Sequence, residues 1–419
     1  MPKKRSRQSG PRRTPAQWIK RSVLGLAICT LGYLGVTASI AQVIASADPA
    51  KAHSLDPRNG IVTAKLAQHY FSSSPEDSND SESARLARLA LRQDPTAVEA
   101  ISVLGLQAQL RNETEQTRNL FRYSLKLSRR ELQPQIWAIE EAVSRGDIIG
   151  ALEGYDIALR TSSRAQDILF PVLSTALAES QVRDDLLPII ATKPVWVGNF
   201  VEYLVKSSTD PASAISLLRE AEGLGLNVSN EHRAALVNAL AAKEGYGPAW
   251  TYYATFRRYA DRNRSRDPQF TYEGNARTLF DWRTSEDPQV SAVIFASEEG
   301  GTLEFSLPAT IGGMVVSQTQ LLRRGNYRLE GRSSGIDQAD RSRPYWVLSC
   351  RNGQELGRVE VPNSDSDGGR FQGTFTVPGA CTEQILSLVA RSSDTIDGVT
   401  GQITEAAVIP LPDKTAKQN

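Results

Sequence analysis

Three short runs in this chain carry residue types that could do chemistry. Gly331-Arg332-Ser333-Ser334-Gly335 has the spelling of a nucleophile elbow. That device needs a serine on a tight strand-to-helix turn and a histidine downstream to remove its proton. No helical pattern follows the run, and all three histidines, His53, His69 and His232, precede it. An ordinary Gly/Ser loop accounts for it. Asn363-Ser364-Asp365-Ser366-Asp367-Gly368 alternates oxygen ligands and ends on glycine as a calcium loop does, but its twelfth position is Thr374, where a bidentate Glu belongs. A hairpin loop is the better reading. Three scattered histidines do not make a zinc site, and no metal or cofactor is expected.

The third run is Phe280-Asp281-Trp282-Arg283. The CH face of a sugar ring stacks on Trp or Tyr while nearby Asp and Arg bond its hydroxyls. Trp282, Asp281 and Arg283, with Tyr345 as a second aromatic, are therefore the candidate carbohydrate contacts. On a strand, Trp346, Leu348 and Cys350 fall on the face opposite Tyr345, so Trp346 is expected in the core and Tyr345 on the surface. Core packing is the competing reading for Trp282 and Tyr345. Nothing marks the close carboxylate pair that glycan cleavage needs, and no enzyme is expected.

The elements that would position these residues begin with a basic tail. Residues 1–21 hold eight basic and no acidic residues, and 22–47 are uncharged. Under the positive-inside rule the tail stays cytoplasmic, and 23–44 is about the length of a membrane-crossing helix. A cleaved signal peptide is the alternative, since Ala45-Ser46-Ala47 resembles a cleavage site. Both readings export the rest of the chain. Beyond the tail there are 40 basic against 47 acidic residues, so no nucleic-acid surface is implied.

Residues 48–82 read as a linker with one short helix, and 83–260 as all-helical, with apolar positions every three or four. Ala108 and Ala142, Phe121 and Tyr155, and Leu125 and Leu159 are each 34 apart. One unit carries Leu104-Gly105, Ala108, Phe121 and Leu125; the next carries Ala142, Gly146, Ala151, Tyr155, Ala158 and Leu159. This period and these markers resemble the tetratricopeptide repeat family over about 66–260, best to about 160. The resemblance implies a helical solenoid in which small residues let antiparallel helices approach and Phe121 and Tyr155 fill the gap between units. Thr117 departs from it where a small Ala is expected, and Arg129 where Pro would close the unit.

A charged linker, 261–275, leads to a domain at 276–412 rich in Gly, Ser, Thr and Val. Short alternating runs at 291–295, 301–307, 315–321, 326–330, 345–350, 357–361, 370–377, 385–390 and 403–409 predict an antiparallel β-sandwich. Residues 413–419 read as a disordered tail. The run from Leu321 to Leu329, with Gly325 at a turn and Tyr327 entering the next strand, resembles a hairpin of jelly-roll carbohydrate-binding modules. The layout as a whole resembles envelope proteins associated with exopolysaccharide export. In an oxidising compartment Cys350 and Cys381 can pair; two free buried thiols are the alternative. The expectation is a single-pass protein of the bacterial inner membrane with its body in the periplasm. It would scaffold other envelope proteins through its helices, or bind polysaccharide through its sandwich.

Overall fold

A computed structural model describes residues 15–412; the basic residues before Pro15 and the segment 413–419, read above as cytoplasmic and disordered tails, lie outside the described residues. The first helix, α1 (Pro15–Ile44), is about 45 Å long at 1.5 Å per residue. Its stretch Trp18–Ile44 is long and apolar enough to cross a membrane, and its large side chains from Trp18 to Val36 are exposed all round. A helix apolar on every face needs an apolar solvent. The hydroxyls of Thr30, Thr37 and Ser39 bond back to the carbonyls of Leu26, Tyr33 and Gly35 at 2.9, 3.0 and 2.8 Å, so those three hydroxyls are satisfied within the helix. Near its end, Ala41 and Ala45 are buried against Ala52 of α2 (Pro49–Leu55) and Val62 of α3 (Gly60–Ser73).

Two compact units divide the chain. One takes in the described residues up to Phe170 with Pro194–Trp196; the other takes in Pro171–Lys193 and everything from Val197. In the first, α4 (Glu82–Gln93) is followed by two helical hairpins, α5 (Val98–Leu110) with α6 (Thr114–Leu127) and α7 (Leu132–Ser144) with α8 (Ile148–Thr161). The 34-residue offset is visible in the backbone. Asn112 and Gly146 both adopt positive φ, 61° and 72°, where each helix ends. Glu113 and Asp147 then donate their N–H groups to Ala108 and Ala142, both at 2.9 Å, the six-to-one bond of a left-handed C-terminal cap.

Side chains repeat with the same offset but trade volume. Phe121 is fully buried, and a Cβ on Gly105 would sit 2.5 Å from its ring. One unit later Ile139 replaces the glycine, and the room it needs comes from Gly154, whose added Cβ would meet Ile139 at 2.8 Å. Tyr155, like Phe121, is buried. Thr117 and Ser124 occupy the positions of Ala151 and Ala158, and both hydroxyls are buried without a hydrogen-bond partner.

The division of the chain falls inside α9 (Arg164–Ala176) at Pro171, whose missing N–H interrupts the helical ladder. The second unit holds α10 (Ser180–Ala191), α11 (Val197–Ser207), α12 (Pro211–Gly223), α13 (Asn230–Glu244) and α14 (Tyr246–Phe256), then ten strands. These are β1 (Arg283–Thr284), β2 (Ser291–Phe295), β3 (Thr302–Leu307), β4 (Gly313–Gln320), β5 (Gly325–Ser334), β6 (Tyr345–Cys350), β7 (Glu355–Glu360), β8 (Arg370–Val377), β9 (Gln384–Ala390) and β10 (Val399–Pro410). They form two five-stranded antiparallel sheets, β1-β4-β9-β6-β7 and β2-β3-β10-β5-β8. Alternate residues point inward, as in β3, where Leu303, Phe305 and Leu307 are buried and Glu304 and Ser306 are exposed. Cys350 and Cys381 form a disulfide that ties the end of β6 to the turn before β9. The helical part, the apolar first helix and the two-sheet sandwich follow the expected fold class. Contacts group α10–α14 with the sandwich in one unit.

The repeat register sets two opposite expectations. Phe121→Ala should destabilise the protein by about 3–5 kcal/mol through the cavity it leaves. Thr117→Ala and Ser124→Ala should be neutral or stabilising by up to about 1 kcal/mol, since each removes an unpaired buried hydroxyl. Denaturant titration of the three variants checks this; a cost above about 1 kcal/mol for both alanine exchanges would show that those hydroxyls have partners and the register is wrong.

Candidate functional site

Trp282 is fully buried, its ring 5.5 Å from Phe270 and 5.6 Å from Trp346, with Nε1 donating to the carbonyl of Asp267 at 2.8 Å. The expectation that it presents a sugar-stacking face is corrected: the strand that starts at Arg283 turns this indole into the core. Asp281 is also buried. One carboxylate oxygen accepts from Tyr253 Oη at 2.8 Å; the other accepts from Arg257 Nη2 at 3.2 Å and from the N–H and hydroxyl of Thr278 at 2.8 and 3.0 Å. Both oxygens are engaged within the protein and the side chain is buried, so it is not presented to a sugar hydroxyl. Arg283 is exposed and pairs with Glu286 at 3.1 Å. Tyr345 is half-buried on β6, and two guanidinium groups, Arg358 of β7 and Arg391 just past β9, each lie 4.6 Å from its ring centroid. The four residues thus do not form one surface. Ser333 of the elbow-like run lies buried within β5, its hydroxyl bonded to the carbonyl of Gly369 at 3.2 Å.

What the fold does bring together is the segment read as a charged linker. Arg266 is buried, and all five of its N–H groups are used. Nε and Nη2 donate to the carbonyl of Phe280 at 3.1 and 2.9 Å, Nη1 to Gln320 Oε1 at 2.7 Å and to the carbonyl of Arg264 at 3.3 Å, and Nη2 also to the carbonyl of Thr319. Its backbone is held by Gln318, which accepts from the Arg266 N–H at 3.1 Å and donates to the Arg266 carbonyl at 2.9 Å. Among the described residues no carboxylate pairs with the guanidinium; the Trp250 ring lies 5.2 Å away. Burial pushes Arg266 down to about 10, with Tyr253 and Asp281 opposing the fall, so it remains a cation at neutral pH. Around it, α14 docks through Trp250 and Tyr253, whose rings lie 5.1 and 5.2 Å from Phe280. Burial first, and the Asp281 charge second, hold the Tyr253 phenol well above its ordinary range.

Beside this joint is a cleft of about 610 Å³, lined among others by Phe256, Arg257, Tyr259, Asp267, Tyr272 and Glu273, a size suited to a small ligand. Tyr259 on its rim is 84% exposed. Arg257 lies 4.0 Å over the Tyr272 ring; burial lowers its affinity for the proton, but Asp281 and Tyr272 outweigh that and raise it. Asp267, with positive φ of 47°, accepts from the N–H and hydroxyl of Thr271 at 2.6 and 2.7 Å and from the N–H of Tyr272 at 3.2 Å. Both oxygens of each cleft aspartate are therefore committed to holding the chain in place.

No protein-family model and no curated protein matches this sequence. Among solved structures, the Glycosylation Associate Protein (Gap123) complex from Streptococcus agalactiae aligns with 31% of this chain at 10% identity and a TM-score of 0.22, and the match spans 42% of that chain. The CBM22-1 xylan-binding domain of Xyn10C from Paenibacillus barcinonensis aligns with 35% of this chain and 92% of its own at 14% identity, TM-score 0.24. CsCBM6-3 from Clostridium stercorarium, solved with cellobiose, aligns with 32% of this chain and 95% of its own at 12% identity, TM-score 0.20. At these TM-scores the likenesses carry no argument about what this chain does.

The Arg266 joint escaped sequence reading because a run of Asp, Asn, Arg and Ser looks solvated. The available signal was the cluster of aromatics on either side of it, Trp250, Tyr253, Phe270, Phe280 and Trp282. Replacing Arg266 by Met should destabilise the second unit by about 3–5 kcal/mol, because the carbonyls and amides left behind are buried and unpaired. Lys should not rescue it, having three donors and a charge more readily lost on burial. Arg283→Ala should cost less than about 0.5 kcal/mol. Thermal unfolding of the three variants measures this; full stability of Arg266→Lys would mean that charge alone, not the five-donor geometry, is what the joint needs.

Proposed function

We propose that this chain is a non-catalytic, single-pass membrane protein of the bacterial inner membrane, with its body in the periplasm. Its helices would scaffold other envelope proteins in polysaccharide assembly or export. The observation that carries the membrane part is α1, whose apolar side chains find no protein to pack on until the last turns of the helix. The Cys350–Cys381 disulfide supports a body in an oxidising compartment. The non-catalytic part is supported by the commitment of Asp281, Asp267 and Arg266 to structure. Placement in polysaccharide assembly rests on the resemblance of the layout to exopolysaccharide-associated envelope proteins.

Topology is tested by a reporter active only in the periplasm, fused after Asn419. Activity is expected, together with retention of the intact chain in the membrane fraction. Activity of a cytoplasm-only reporter at the same site would overturn the localisation.

A second reading, glycan binding, is favoured by one observation. Tyr259 presents an open aromatic face at the rim of a cleft with polar side chains. Titration of the whole protein with the organism's own polysaccharides should then show a Kd of about 10 µM to 1 mM, lost in Tyr259→Ala with the melting temperature unchanged. Equal binding by the variant would remove the cleft from consideration.

A further inference from the structure

We infer that a pocket at the outer end of α1 binds the phosphate of an anionic phospholipid headgroup; the inference rests on reading α1 as a retained membrane span. The pocket measures about 490 Å³, and its lining begins at Ala45, directly after the apolar stretch ends at Ile44. That stretch of 27 residues extends about 40 Å, against a hydrocarbon core of about 30 Å, so its end reaches the headgroup layer. Burial of Ala41 and Ala45 against α2 and α3 fixes the pocket relative to the span.

Its chemistry is that of an anion site. Ser46, Lys65, Gln68, His69, Gln133 and Arg164 bring hydroxyl, ammonium, amide, imidazole and guanidinium groups to one polar hollow, and among the described residues no Asp or Glu lines it. Lys65 Nζ donates to Ser46 Oγ at 2.8 Å, which holds the ammonium at the wall nearest the span. Asp48, close by in sequence, is turned away to cap α2 through the Lys51 N–H at 3.0 Å. Glu131, whose carboxylate feels the Lys65 charge, is held above the usual carboxylate range by burial first and the charge of Glu99 next, and it is not among the residues that line the pocket. A phosphate diester offers acceptors in several directions at once, and an ammonium and a guanidinium converging from different helices match it.

The test is native mass spectrometry of the full chain in detergent micelles doped with phosphatidylglycerol or phosphatidylcholine, with and without millimolar inorganic phosphate. The wild type should retain one phosphatidylglycerol above the phosphatidylcholine background, and phosphate should not displace it. Lys65→Gln with Arg164→Gln should lower retention about tenfold or more. Arg164→Gln alone, at an exposed position that leaves the fold intact, should lower it about threefold. Equal retention by wild type and Arg164→Gln overturns the proposal, and complete displacement by inorganic phosphate overturns the lipid as its source. The same spectrum gives the intact mass: a chain lacking residues 1–47 overturns the membrane reading, whereas an intact chain with no preference for phosphatidylglycerol overturns only the pocket.

Discussion

One buried guanidinium decides how the second unit is built. Taking a cation out of water costs several kcal/mol, and the cost is met only where hydrogen bonds surround the charge. Arg266 has five, four of them to groups in the segment 264–280 and to Thr319, and the fifth to Gln320 at the end of β4. Those bonds fix the path of the chain between the last helix and the first strand. They place Phe280 against Trp250 and Tyr253, bring Asp281 under the Tyr253 hydroxyl, and leave Trp282 pointing into the sandwich. The same path explains why Phe270, in a left-handed conformation at φ 54°, is tolerated: it is fully buried beside Trp282.

The strands were legible because period-two alternation is strong where one face is buried. β2, β6 and β8 begin and end where the pattern places them. β1 was not, since two residues hold no pattern. In the helical part, spacing carries the register as far as Thr161, and the trade between Gly105 with Phe121 and Ile139 with Gly154 shows why marker residues need not be identical for the offset to survive. After that, Pro171 and Pro188 lie inside helices and the marker positions dissolve.

The candidate site was legible in composition and not in position. Aromatic and acidic residues do gather near residue 281, but the aromatic with the greatest chemical appeal, Trp282, is fully buried in the sandwich core. Sequence cannot say which way the residue before a two-residue strand points; here the chain leading into that strand is held by Arg266, whose type reads as solvated, sixteen positions before Trp282. At the other end of the chain, small residues do comparable work. Ala41, Ala45 and Ala52 allow α1, α2 and α3 to approach closely, so the end of the apolar helix packs directly on the first helices of its own unit.

The claim that the segment 261–282 is part of the sandwich and not a tether is tested most directly by native-state hydrogen exchange. Arg266, Leu279 and Phe280 donate their backbone N–H groups to Gln318 Oε1, Asn238 Oδ1 and Thr278 Oγ1. Peptides covering 246–256 and 265–282 should therefore exchange with the protection of β4 and β10 peptides, opening only when the unit unfolds. Exchange of 261–282 within seconds, while β4 and β10 stay protected for hours, would contradict the account and restore the linker.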